Sequence, residues 1–187
     1  TVQEIERDFL EYHSIKILNS QTNSLAIQKN LPHYLKKFLA FFNKSNPDLV
    51  ILLGDRYEVF LAAIASLFNA IPIAHIHGGE VTHGAIDDPM RHSITKMSHL
   101  HFVAAPEYQK RVHQLGENSK NIFLVGGLGV DAMHSLSLLN KGDLEKSLNY
   151  KFGKKNLLIT LHPETLEKKQ TSKDQIIALL SALEEVK

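Results

Sequence analysis

The chain has no cysteine anywhere in its 187 residues, which excludes disulfides and thiolate-ligated metal sites. It has no charge of one dominant sign: 21 basic and 20 acidic residues leave a net charge of +1. Without a long basic run nothing points to a nucleic-acid partner, and without an acidic tail nothing points to a disordered one. Membrane-length apolar runs are missing too, since Leu49 to Leu53 is only strand-sized. The opening Thr1-Val2-Gln3-Glu4 carries neither Met nor a signal-peptide pattern and reads as the middle of a helix. The closing Ile176 to Lys187 also stops inside a helical pattern. The expectation is a piece of a longer soluble, cytoplasmic protein with no membrane partner. A hydrophobic content of 43% supports one core, or one domain and part of a second.

What is present alternates between strand-like and helix-like segments. Ser14 to Leu18 reads as a short strand, and Ser24 is placed to cap a helix with an apolar face at Leu31, Leu35, Phe38, Leu39 and Phe42. Pro32 is expected to kink or divide that helix, and Asn46-Pro47 to end it. Asp48 to Leu53 is a nearly unbroken apolar run, the pattern of a parallel strand buried on both faces. Further strands are expected at Pro72 to Ile76, Leu100 to Ala104, Asn121 to Val125 and Asn156 to Leu161. Helices are expected at Val59 to Phe68, Met90 to Met97, Glu107 to Leu115 (stopped by Gly116), Val130 to Leu139 and Ser172 to Val186. This alternation predicts right-handed βαβ units in a doubly wound, Rossmann-like parallel sheet. The polar stretch Lys141 to Lys154 reads as an irregular linker. Residues 1–140 would then form an N-terminal domain lacking its start, and 155–187 the beginning of a truncated C-terminal nucleotide-binding domain.

Ligands of open α/β sheets bind beyond the carboxyl ends of the strands, and three polar clusters fall there. Gly54-Asp55-Arg56 follows the first long strand. Gly54 permits a tight turn, and the fork of Arg56 suits a phosphate. The plainer alternative is Asp55 as a helix cap with Arg56 in a surface pair. His75-Ile76-His77-Gly78-Gly79-Glu80 follows the next strand. Gly78 and Gly79 let backbone approach a ligand closely, and Glu80 can act as acid or base. His75 and His77 share a side if the strand persists, a spacing compatible with a metal, but no partner ligand stands out and no metal is assigned. Asp87-Asp88-Pro89-Met90-Arg91 opens a helix with Pro at its first position, which makes one aspartate a cap and leaves the other, Asp87 by preference, free for chemistry. Arg91 lies one turn in and can reach back to the mouth. Six of the eleven histidines fall between His75 and His101. His162-Pro163-Glu164 ends the last strand, where a histidine would face an interdomain cleft or simply make a turn.

GDRYE (Gly54 to Glu58), HIHGGEVTHGAIDD (His75 to Asp88), RHSITKMSHLHF (Arg91 to Phe102) and His162-Pro163 together resemble the UDP-N-acetylglucosamine 2-epimerase family. The likeness is to its hydrolysing branch, which opens sialic and legionaminic acid synthesis, and it covers nearly all of the chain as the middle of such an enzyme. It implies a two-domain, glycosyltransferase-B-like fold with a UDP-sugar in the cleft, no cofactor, and a homo-oligomer, either dimer or tetramer. The implied reaction removes the C2 proton with loss of UDP, then hydrates the 2-acetamidoglycal to the free 2-epimer. Asp55, Glu80 and Asp87 are the carboxylates on the correct edge for the proton transfers. Arg56 and His162 match positions that contact the nucleotide, with His75, Gly78 and Gly79 on the same binding surface. Arg91 matches an arginine beside the catalytic carboxylates.

The sequence departs from the family in one place. Relatives carry a catalytic Glu two residues after the first His of the central loop. His77 stands there instead, and the loop is one residue longer before Asp87. Either Glu80 has taken over the role or His77 performs the transfer, and Glu80 is favoured. The rival readings are a non-hydrolysing epimerase, which would return UDP-N-acetylmannosamine, a UDP-sugar glycosyltransferase, a catalytically silent binding module and a metal hydrolase.

Overall fold

A computed structural model describes residues 2–7, 11–15, 24–162 and 171–185. Four parallel strands form one sheet in sequential order: β1 (Val50–Leu53), β2 (Ile73–Ile76), β3 (Leu100–Val103) and β4 (Ile122–Leu124). Ahead of the sheet lie α1 (Val2–Arg7) and α2 (Ser24–Ser45). The strands are joined by α3 (Tyr57–Phe68), α4 (Asp87–Met97) and α5 (Pro106–Gln114). After the sheet come α6 (Leu128–Ser135), α7 (Lys141–Leu148) and α8 (Ser172–Glu184). The expected strand at Ser14 to Leu18 falls largely outside the described residues, and 14–15 are irregular.

Sequential order with right-handed crossovers places successive helices on one face of a sheet. The core confirms this placement. Leu52 and Ile73 pack with Ala62 and Ala63 of α3 and Ile94 of α4, and Phe38 of α2 lies against them. Val103 and Ile122 pack with Val112 of α5. Residues alternate sides along a strand, so Ile51, Leu53 and Phe123 point the other way and remain exposed. The two-faced burial expected for β1 is therefore not met within the described residues.

Three further expectations change. α2 runs through Pro32 undivided, since proline forfeits a single ladder donor while Tyr34 and Phe42 are held in the core. The stretch expected to be a linker contains α7, capped by Asn140 accepting from the Asp143 amide and closed by Asn149 in the left-handed conformation. Residues 156–161 form no strand: no described strand pairs with them, and Leu158 is 98% exposed. A strand is defined by its ladder, and an apolar run without a neighbour stays irregular. In addition, α6 stops at Ser135, short of the expected Leu139.

Candidate active site

The carboxyl ends of β1 and β2 open into two turns. At the first, Gly54 takes φ +82 with its amide bonded to the Ile76 carbonyl (3.1 Å). The helix that follows is capped by the extended backbone of Arg56 without a side-chain bond. Asp55 is thus not a cap. Its carboxylate instead accepts a hydrogen bond from Arg91 Nη2. Arg56 is largely exposed and turns to Glu58 (3.3 Å).

At the second turn the strand ends at Ile76, and His77 takes φ +66, so His75 and His77 do not share a side as expected. His77 Nδ1 lies 2.6 Å from Glu80 Oε1, both side chains being about a quarter exposed. An ionised carboxylate only accepts, so the contact places a proton on Nδ1 and leaves Nε2 as the ring nitrogen turned away from Glu80. Gly78 and Gly79 approach the protein itself. A Cβ on Gly78 would lie 3.0 Å from both His75 Nδ1 and Thr95 Oγ1. A Cβ on Gly79 would meet the Tyr108 carbonyl oxygen at 2.5 Å, and Arg111 donates to the Gly79 carbonyl.

His75 is fully buried, with Nε2 2.9 Å from the Gly54 carbonyl and Nδ1 3.1 Å from Thr95 Oγ1. Burial is the main cause that pushes its pKa down to about 4. His101, its register neighbour on β3, is also lowered by burial. The pair that marks the HxH motif therefore splits into a buried neutral ring and a partly open one. Among the described residues no group of three or more His, Asp or Glu is placed to hold a metal.

At the mouth of α4, Asp87 and Asp88 both lie in the first turn behind Ile86, and Pro89 sits third in the helix, not first. Neither aspartate caps α4. Asp88 accepts from the Thr82 amide (2.8 Å), which fastens the intervening loop to the helix. Arg91 is buried and donates also to Thr82 Oγ1 (3.0 Å). Asp87 has no side-chain hydrogen bond or ion pair among the described residues. His162 ends the irregular stretch 156–162, exposed and without a bond to these turns. The sequence reading missed Thr82, Thr95 and Arg111. Thr95 was accessible, since it stands four residues after Arg91 on the same helix face.

Fold and placement together define a Rossmann-like α/β domain with a polar site at the carboxyl edge of its sheet. The chain belongs to the UDP-N-acetylglucosamine 2-epimerase family, which matches residues 2–187. It is 44% identical over 187 residues to the GDP/UDP-N,N'-diacetylbacillosamine 2-epimerase (hydrolyzing) of Campylobacter jejuni, covering all of this chain and 48% of the relative. It is 42% identical to polysialic acid biosynthesis protein P7 of Escherichia coli, over 98% of this chain and 46% of that protein. The UDP-N,N'-diacetylbacillosamine 2-epimerase (hydrolyzing) of Legionella pneumophila is 36% identical over 89% of this chain and 44% of its own. The chain thus spans about half the length of these curated relatives.

Two solved structures share the fold. The UDP-GlcNAc 2-epimerase of Neisseria meningitidis, bound to UDP-GlcNAc, superposes with a TM-score of 0.63 at 19% identity, over 71% of this chain and 36% of that one. The Methanocaldococcus jannaschii enzyme, in complex with UDP-GlcNAc and UDP, gives 0.62 at 22% identity, over 78% and 39%.

Proposed function

We propose that the protein carrying this chain is a hydrolysing UDP-sugar 2-epimerase acting on a UDP-2,4-diacetamido-trideoxy sugar of the diacetylbacillosamine type. The observation that supports the reaction is the placement of Asp55, the His77–Glu80 pair and the first turn of α4 with Asp87 at the carboxyl ends of β1 and β2, where Arg91 ties Asp55 to Thr82. Support for the substrate is the naming of two relatives, at 44% and 36% identity, for diacetylbacillosamine. In this reading a base takes the C2 proton as the C1–O bond breaks and UDP leaves as an anion. Water then adds hydroxide at C1 while an acid returns a proton to C2, giving the free 2-epimer. Glu80 orients His77, and Nε2 of His77 exchanges the proton on one face. Asp55, held by Arg91, and Asp87, whose side chain has no partner among the described residues, serve the other steps.

Arg56 is exposed and held only by its surface pair with Glu58, a state that supports its release to a phosphate on UDP binding. His162 would join it once the second domain closes over the nucleotide. No helix among the described residues is long and apolar enough to cross a membrane; the proposed water-soluble UDP-sugar substrate is what favours a cytoplasmic enzyme. The family resemblance supports a homo-oligomer.

The test is a product assay on the complete enzyme with each UDP-sugar and no acceptor. Free 2-epimer and UDP are expected, with the diacetamido substrate preferred. A UDP-linked epimer would identify a non-hydrolysing enzyme, and no reaction without an acceptor a transferase. A cleft enzyme needs both walls, so residues 1–187 alone are expected to show no turnover.

A further inference from the structure

We infer that His75 is a positioning residue: by bridging the Gly54 carbonyl to the Thr95 hydroxyl it fixes Asp55 against Arg91. The inference rests on the proposed reaction for its kinetic effect but not for its structural one. The Gly54 carbonyl can only accept, so the 2.9 Å contact requires the proton on Nε2 of His75. Nδ1 then presents a lone pair, and its partner at 3.1 Å, Thr95 Oγ1, must be the donor. The same hydroxyl lies 3.1 Å from the Arg91 carbonyl, but the helix ladder already serves that carbonyl, and one hydroxyl proton serves one acceptor strongly. The ring is fully buried, so water cannot replace either bond.

These bonds close a ring of contacts. Gly54 immediately precedes Asp55, Asp55 accepts from Arg91, Arg91 and Thr95 stand one turn apart on α4, and Thr95 returns to His75. Gly78 lies over the same His75–Thr95 contact, where a Cβ would come within 3.0 Å of both atoms and press on them. The strut therefore sets the β1 turn, the β2 turn and α4 in one frame. Both ring nitrogens are spent inside the protein, so His75 acts on the substrate only through Asp55.

Removing a fully buried histidine endangers folding, so the test uses Thr95 in the complete enzyme. Thr95→Val deletes the hydroxyl at constant shape, and Thr95→Ser keeps it. The expected result is a fall in kcat of about 10–100-fold in Thr95→Val, with KM and UDP affinity changed by less than about threefold and near-full kcat in Thr95→Ser. A companion measurement is the nitrogen-15 NMR signal of the Arg91 guanidinium, slowly exchanging in the wild type and in Thr95→Ser and lost in Thr95→Val. Unchanged kcat in Thr95→Val, or equal damage in Thr95→Ser, overturns the inference. If the wild type turns over no UDP-sugar, the proposed function fails, and the NMR comparison alone decides the inference: a persistent Arg91 signal in Thr95→Val overturns it, and its loss supports it.

Discussion

The imidazole of His77 and the carboxylate of Glu80 form a hydrogen-bonded pair at 2.6 Å across one turn of the central loop. The sequence posed these residues as alternatives for one role, and the structure joins them. Glu80→Gln keeps the shape but leaves a weaker, tautomer-indifferent partner. It is expected to lower UDP release by about 100-fold or more, with UDP affinity within a few-fold. His77→Asn should lose at least as much, because it removes the imidazole that the proposed reaction uses for proton exchange. Single-turnover UDP release and equilibrium UDP binding check both, and near-normal release in either variant removes the pair from the mechanism.

Arg91 is the most connected side chain of the site, and its loss strands the partly buried carboxylate of Asp55. Arg91→Met should cost about 2–4 kcal/mol, the range for breaking a buried ion pair reduced for the partial exposure of Asp55. Urea unfolding measures it. Asp55→Asn should cost less, because an amide oxygen still accepts from the guanidinium.

Gly79 and Gly126 both have positive φ, +81 and +85, but different surroundings. Gly79→Ala forces a Cβ to within 2.5 Å of the Tyr108 carbonyl oxygen, whereas Gly126→Ala meets nothing within 4 Å. The first is expected to destabilise by about 2–4 kcal/mol and the second by about 1 kcal/mol. Paired thermal melts that show equal losses would contradict the tight packing of the central loop on α5.

The buried neutral His75 gives stability a pH dependence. Its pKa falls from 6.5 in the unfolded chain to about 4 in the fold. Below 6.5 the unfolded chain binds a proton that the folded chain refuses, so this contribution is complete above pH 6.5 and is lost as pH falls toward 4, by roughly 3 kcal/mol. Urea midpoints between pH 7 and 4.5 should fall more steeply for the wild type than for His75→Gln, which has no titrating ring. Parallel slopes would show that His75 is not the group responsible.

Much of the sheet was legible because period and punctuation agree locally. The DLVILL run and the Gly54 and Gly116 stops lie where a short-range reading puts them. What failed depended on neighbours far along the chain. NLLITL at 156–161 has a strand's composition but no described strand beside it, and Ile51 is apolar but uncovered. In the site, the strand-tip rule put Asp55 and Glu80 just beyond the carboxyl ends of β1 and β2, where the structure has them. It could not tell which polar groups turn inward. His75 and His77 differ by two positions, yet one is sealed in the core and the other is partly exposed. That difference is made by a single backbone dihedral at the end of β2.

That dihedral, φ +66 at His77, also filters what evolution or a designer can place there. A left-handed backbone admits glycine freely, tolerates asparagine, aspartate and histidine, and resists most other side chains. A glutamate at this position, which the family resemblance leads one to expect, would enter under strain. His77→Glu alone should therefore disturb the loop geometry and fall short of the wild-type rate.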